Sequence, residues 1–149
     1  MPDCHNVSSR PGRTRAAAGG LALLAVLWPV LGSGPARAAA GSDRLLPGET
    51  LQAGQSIGAG SDTLTMQGDG NLVLYQAGKP LWASDTAGHD GASAILQNDG
   101  NLVIYQDGKP LWASDTPGHG DAWLAVQNDG NVAIYSNGEA LWATDTCCR

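Results

Sequence analysis

Three nonapeptides, "QGDGNLVLY" (Gln67 to Tyr75), "QNDGNLVIY" (Gln97 to Tyr105) and "QNDGNVAIY" (Gln127 to Tyr135), recur at a spacing of 30 residues. Each sets two amides, a carboxylate and a phenol around one apolar residue, so donors and acceptors stand side by side. That inventory suits a ligand rich in hydroxyls, a sugar above all. Read as an extended strand, alternate residues share a face. Gln67, Asp69, Asn71, Val73 and Tyr75 then form one row, about 26 Å long if fully extended, while Leu72 and Leu74 turn to the core. Asp and Asn are depleted in strands, so a face that needed only solvation has no reason to repeat them.

The elements around each nonapeptide repeat as well. "QAGKPLWASDTAGH" follows Tyr75, "QDGKPLWASDTPGH" follows Tyr105 and "SNGEALWATDT" follows Tyr135. Each unit therefore has a strand ending in Tyr, a turn around Gly78, Gly108 or Gly138, and a second strand through Leu-Trp. "DTLTM", "ASAIL" and "AWLAV" are upstream strand candidates, and "GETLQAGQSI" (Gly48 to Ile57) supplies one more. No 3.6-residue periodicity survives beyond the leader, so the fold class is all-β. One such unit cannot bury its own apolar face, but stacked neighbours do so. Trp82, Trp112 and Trp142 recur at the repeat spacing, and with no Phe in the chain they are the largest apolar groups available for a threefold core.

Residues 1–40 have the order of a secretory signal peptide. Arg10, Arg13 and Arg15 precede the apolar run Ala16 to Leu31, and a small-residue segment follows, with cleavage expected after Ala38 or Ala40. Pro29 interrupts the run, which is shorter than the ~20 apolar residues of a spanning helix. A secreted domain over residues 41–149, with no membrane span after cleavage, is the expectation. It carries Arg44, Lys79, Lys109 and Arg149 against thirteen acids, a net charge of −9. Such a surface repels phosphate and argues against nucleic acid as a partner. Only Cys147 and Cys148 remain after cleavage, so the domain holds together by packing, and no zinc-ligand spacing exists.

The threefold pattern Gln-x-Asp-x-Asn-x-Val-x-Tyr, each copy followed by a Leu-Trp strand, resembles the bulb-type mannose-binding lectins first known from monocot plants. The resemblance runs from "LLPGETLQAG" through "LWATDT". It implies a β-prism II fold, three four-stranded antiparallel sheets around a pseudo-threefold axis, with one mannose site on each sheet and no cofactor. It assigns Asp69 and Asn71 to the axial O2 hydroxyl of mannose, Gln67 to O3, Tyr75 to O4 and Val73 to the ring carbons. Gln97, Asp99, Asn101, Val103 and Tyr105 match in full. Gln127, Asp129, Asn131 and Tyr135 match too, but Ala133 replaces the valine, and a weaker third site is expected, by about 1 kcal/mol. The C-terminal strand, Leu141 to Thr146, is the one that plant relatives exchange between subunits, which implies a homodimer.

The same residues admit other readings. "QGDGN" has the outline of a calcium loop, but its sixth position is Leu72 and its twelfth Gly78, where Gly and Glu are required. His89 and His119 sit in Gly-rich turns with no nucleophile in context, and the repeated carboxylates are not split into acid and base, so no enzyme is expected. A lectin-like scaffold used for protein contact, of toxin or inhibitor type, would keep the strands and erode the motifs. Trp123 is specific to the third repeat, as an aromatic platform or as part of a subunit interface. Cys147 and Cys148 could bridge each other or another chain.

Overall fold

A computed structural model of the chain describes residues 42–147, so the leader and Cys148 lie outside the described residues. Twelve short strands form within them. They are β1 (Arg44–Leu45), β2 (Thr50–Leu51), β3 (Ser56–Ala59), β4 (Asp62–Met66), β5 (Leu72–Gln76), β6 (Lys79–Ala83), β7 (Ser93–Leu96), β8 (Leu102–Gln106), β9 (Lys109–Ala113), β10 (Trp123–Gln127), β11 (Asn131–Ser136) and β12 (Glu139–Ala143). They make three four-stranded sheets, β3-β4-β5-β6, β2-β7-β8-β9 and β1-β10-β11-β12, with antiparallel pairing throughout. This is the three-sheet prism that the resemblance implies.

Each repeat supplies a three-stranded meander, and residues 44–59 supply the fourth strand of every sheet. The expectation of one strand from Gly48 to Ile57 needs correction. That stretch feeds β2 and β3 into different sheets, and Arg44–Leu45 feeds the remaining sheet. Gly48 and Gly54, at φ 86° and 87°, turn the chain between these strands. Leu45, Leu51 and Ile57, six residues apart, thus fall on the inner faces of three different sheets, each 1% exposed.

Alternation does the rest. β4 reads buried at Asp62, Leu64 and Met66 and half-buried between them, and β7 and β10 follow the same rule. Leu74, Ile104 and Ile134 face inward opposite Trp82, Trp112 and Trp142. The three indoles meet edge to face, with centroids 5.6, 5.5 and 5.5 Å apart and interplanar angles of 70°, 77° and 73°. Such pairs contribute ~0.5–1.5 kcal/mol each beyond the area they bury.

Closure between the third and first repeats uses a different device. Asp62 stands where Ala92 and Ala122 stand in the later repeats, and it is fully buried. Its Oδ2 accepts the Gly130 N–H at 2.9 Å. In the first two repeats the equivalent N–H closes its own turn, Gly70 to Gln67 O at 3.0 Å and Gly100 to Gln97 O at 2.9 Å. At Gly130 that bond stretches to 3.4 Å, and the Asp62 carboxylate makes up the difference.

The hairpin turns between the second and third strands of the meanders are Ala77-Gly78, Asp107-Gly108 and Asn137-Gly138, with both residues at positive φ. That is the two-residue turn favoured by Asn-Gly and Asp-Gly. Ala77, at φ 49°, has no side-chain group to offset the left-handed conformation. Ala77→Asn is therefore expected to raise stability by about 0.5–1 kcal/mol, and Asn137→Ala to lower it similarly. Urea denaturation of both variants checks this, and unchanged midpoints would contradict it.

Candidate functional site

The nonapeptide is not an extended row. Gln67 N–H bonds to Asn71 O at 2.9 Å and Gly70 N–H to Gln67 O, so residues 67–71 form the turn of the β4–β5 hairpin, and β5 begins only at Leu72. The physical cause is Asp69. Its Oδ1 accepts the Asn71 N–H at 3.0 Å, the local bond by which Asp competes with a strand ladder. Asp99 and Asp129 do the same at 3.0 and 3.1 Å. Gly70 sits at φ 90°, and a Cβ there would collide with the His89 carbonyl. Gln67 thus comes to face Asn71, and the row closes into a cradle.

Across the cradle, Gln67 Nε2 donates to Tyr75 Oη at 2.6 Å. The same bond measures 2.8 Å for Gln97–Tyr105 and 2.6 Å for Gln127–Tyr135. It arches over the residue between, on the same face. Val73 is consequently 4% exposed, Val103 2% and Ala133 1%. On this face these three residues leave little apolar surface exposed.

Behind the turn lies a layer that sequence reasoning missed. Ser84 Oγ accepts the Leu72 N–H at 3.0 Å, and its one proton is shared between Thr86 Oγ1 at 2.7 Å and Asn71 Oδ1 at 3.3 Å. The Thr86 N–H also donates to Asn71 Oδ1, at 3.2 Å, and Thr86 Oγ1 donates to Gly70 O at 2.6 Å. Ser114 and Thr116 hold Asn101 in this way, and Thr144 and Thr146 hold Asn131. The residue between each pair, Asp85, Asp115 or Asp145, has φ 58°, 58° or 56°, a kink that lets both neighbours aim at one carbonyl oxygen. The signal was legible as "ASDT", "ASDT" and "ATDT" at the 30-residue spacing.

The asparagine side chain is thereby fixed in orientation through Oδ1. Asn101 Nδ2 is buried and finds no partner. A buried unpaired donor costs ~1–3 kcal/mol, which an arriving hydroxyl would remove. Asn131 Nδ2 leans on Gln127 Oε1 at 3.4 Å. Burial, tempered by the Gln97 bond and reinforced by the Asp99 charge, pushes the Tyr105 phenol up, so it remains a neutral donor.

The histidines have backbone roles. His89 N–H donates to Asp69 O at 2.9 Å and its Nδ1 lies 3.0 Å from Thr86 O; His119 repeats both contacts with Asp99 and Thr116. Each tethers the loop after its Trp strand to the Asp turn. Among the described residues no group of three or more His, Cys, Asp or Glu side chains is placed to hold a metal ion. Trp123 lies against Tyr135, with the Arg44 guanidinium over its ring. β12 pairs with β11 of its own chain, and Trp142 completes the indole ring. Cys147 is disulfide-bonded.

The geometry can be set beside known proteins. No family model matches the chain. A 39-residue stretch is 56% identical to Curculin-2 of Molineria latifolia, over 26% of this chain and 25% of that protein, so the match spans about a quarter of the curated relative. Among solved structures, a monomeric monocot mannose-binding lectin from Gastrodia elata is 44% identical, with a TM-score of 0.67 over 71% of this chain and 99% of that one. The mannose-specific agglutinin of snowdrop, Galanthus nivalis, solved with methyl α-D-mannoside, is 41% identical, with a TM-score of 0.62 over 72% and 100%. A garlic lectin, Allium sativum, is 44% identical, with a TM-score of 0.60 over 68% and 99%. With its three-sheet prism, its threefold Asp-turn cradles and this identity across nearly the whole of the Gastrodia lectin, the chain belongs to the family of bulb-type, monocot mannose-binding lectins.

Proposed function

We propose that the protein is a secreted carbohydrate-binding protein that recognises mannose or mannose-containing glycans and acts by binding alone, without catalysis or cofactor. One observation carries the reading: three times over, an asparagine is locked through Oδ1 so that its Nδ2, the neighbouring Asp and a Gln–Tyr pair converge on one cradle. The related snowdrop protein was solved with a mannoside, which supports the reading. Asp69 and Asn71, with their counterparts in the other repeats, take the axial O2 hydroxyl; Gln67 and Tyr75 take O3 and O4. Export by the leader and freedom from the membrane after its cleavage belong to the same proposal. Among the described residues no helix is long and apolar enough to cross a membrane.

Glucose, the C2 epimer, leaves the Asp and Asn groups without their hydroxyl, at a cost of ~1–3 kcal/mol. Methyl α-mannoside is therefore expected to displace the protein from a mannan surface about tenfold or more better than methyl α-glucoside. Equal inhibition by the two would sink the assignment of O2.

Ser114→Ala removes one of the two donors on Asn101 Oδ1 and frees the side chain to turn. Mannoside affinity at the second site is expected to fall by about 1 kcal/mol, with the fold intact by circular dichroism. Retention of full affinity would show that the hydroxyl layer has no part in binding.

A single shallow cradle binds weakly, near millimolar for one sugar, so affinity for cell-surface glycans rests on several sites acting together. The proposal includes a homodimer in which two chains exchange β12. This edge strand pairs with β11 alone, so a partner's strand can take its place in the same register. Sedimentation of the mature protein is expected to give twice the single-chain mass. A single-chain mass, as in the monomeric Gastrodia relative, would leave the three cradles of one chain as the source of avidity.

A further inference from the structure

On its site face the third sheet departs from the other two at Ala140, which faces Tyr135 where Pro80 and Pro110 face Tyr75 and Tyr105, and at two further positions. Ala133 stands where Val73 and Val103 stand, and Trp123 where Thr63 and Ser93 stand. The two are neighbours. In the β10–β11 register Trp123 pairs with Tyr135, and Ala133 lies one step along the same face, opposite Ala125. The repeat that lost the valine is the repeat that gained the indole.

The contacts show what the exchange does. Tyr135 lies 5.3 Å from Trp123, ring to ring, tilted by 31°. From the β1 side, the Arg44 guanidinium sits 5.3 Å from the indole centroid and is itself held by Asp43 at 3.1 Å. In the first two sheets the tyrosine faces a small residue, Thr63 or Ser93, and the valine lies one step along the same face. The arch is nevertheless the same in all three: Gln127–Tyr135 closes at 2.6 Å, as Gln67–Tyr75 does. Ala133, two methyl groups smaller, is still only 1% exposed, so its neighbours have closed over it.

We infer that Trp123 is a positioning residue of the third cradle: it props Tyr135 from the side and does there what the valine does from below in the other two. The weakening expected of Ala133 is thereby offset, and the third cradle is a working sugar site. This rests on the sugar-binding reading above and adds which residue makes the third site competent. It also reverses the natural repair. With Trp123 in place, Ala133→Val forces two extra methyl groups into a closed space, which tight packing resists.

The test uses methyl α-mannoside, titrated calorimetrically into the whole mature chain and into a background carrying Asp69→Asn and Asp99→Asn. Those changes keep the Oδ1 acceptor of each turn but replace the second carboxylate oxygen. The background is expected to bind through the third cradle. Trp123→Ser in that background should weaken binding about three- to tenfold, the size of an aromatic pair's contribution. Trp123→Ser combined with Ala133→Val places the serine and valine of the second repeat beside Tyr135, with Ala125 and Ala140 unchanged, and should restore part of the loss, a rescue that general destabilisation would not give. Ala133→Val alone should bring no gain. Unchanged affinity in Trp123→Ser, no rescue in the double variant, or tighter binding in Ala133→Val alone would overturn the inference. A whole chain that binds at two sites, with a silent background, would also overturn it and leave the sugar reading standing. A whole chain that binds no mannoside would bring down the sugar reading itself.

Discussion

The edge-to-face ring of Trp82, Trp112 and Trp142 is the contact on which the architecture depends. Each indole comes from a different repeat, opposite a buried Leu or Ile of its own sheet. No repeat can satisfy its Trp alone, because the partners are the Trp residues of the other two. Three sheets must therefore meet at one axis with their outer faces free. The apolar side chains of β4, β7 and β10 and the short strands β1, β2 and β3 belong to the fully buried core against which that partly buried ring packs. This placement of the core inside is what frees the Gln, Asp, Asn and Tyr face for a ligand.

Between core and cradle stands a short chain of hydrogen bonds that transmits the rigidity of one to the other. The strand after Leu-Trp runs into Ser84 and Thr86, which seize both the Leu72 N–H and the Asn71 carbonyl oxygen. The histidine loop that follows is bonded to the Asp69 turn. The Asn71 side chain is thus fixed by backbone and hydroxyl groups of the buried Ser84 and Thr86. Low local dielectric strengthens such bonds and raises the cost of breaking any one of them. Gly70, Gly100 and Gly130, in the three turns, have no room for a side chain. At the first two, the space a side chain would need is filled by a histidine carbonyl, and at the third by Gln76, Leu81 and the Thr146 carbonyl.

The threefold pattern is imperfect where a linear chain has to close a ring. Asp62 replaces an alanine and holds the Gly130 turn through its carboxylate. The Ala133 and Trp123 pair shows how one face tolerates a change: the volume lost under the arch is matched by an indole beside it. Equal Gln–Tyr distances in the first and third sheets mark the quantity that is preserved, while the residues that preserve it differ.

The sequence by itself determined what is periodic. The 30-residue spacing, the alternation of β4, β7 and β10, the inward Leu-Trp pairs and the recurring Gln, Asp, Asn and Tyr were all legible, because strand alternation and repeat stacking depend on local order and on identity between copies. Only the tertiary structure decided what depends on a single local competition or on distant partners. Asp69 bends the nonapeptide into a turn, because its carboxylate captures the Asn71 N–H before a ladder can. Leu45, Leu51 and Ile57 divide among three sheets, because each edge lacks one strand, and this is invisible in a segment read as one element. The purpose of the Ser-Asp-Thr runs appears only when Asn71, fifteen residues away from Thr86, lies in reach. Trp123 was ambiguous for the same reason: its meaning lies in Tyr135 and Arg44, which the fold brings beside it across two strand pairings.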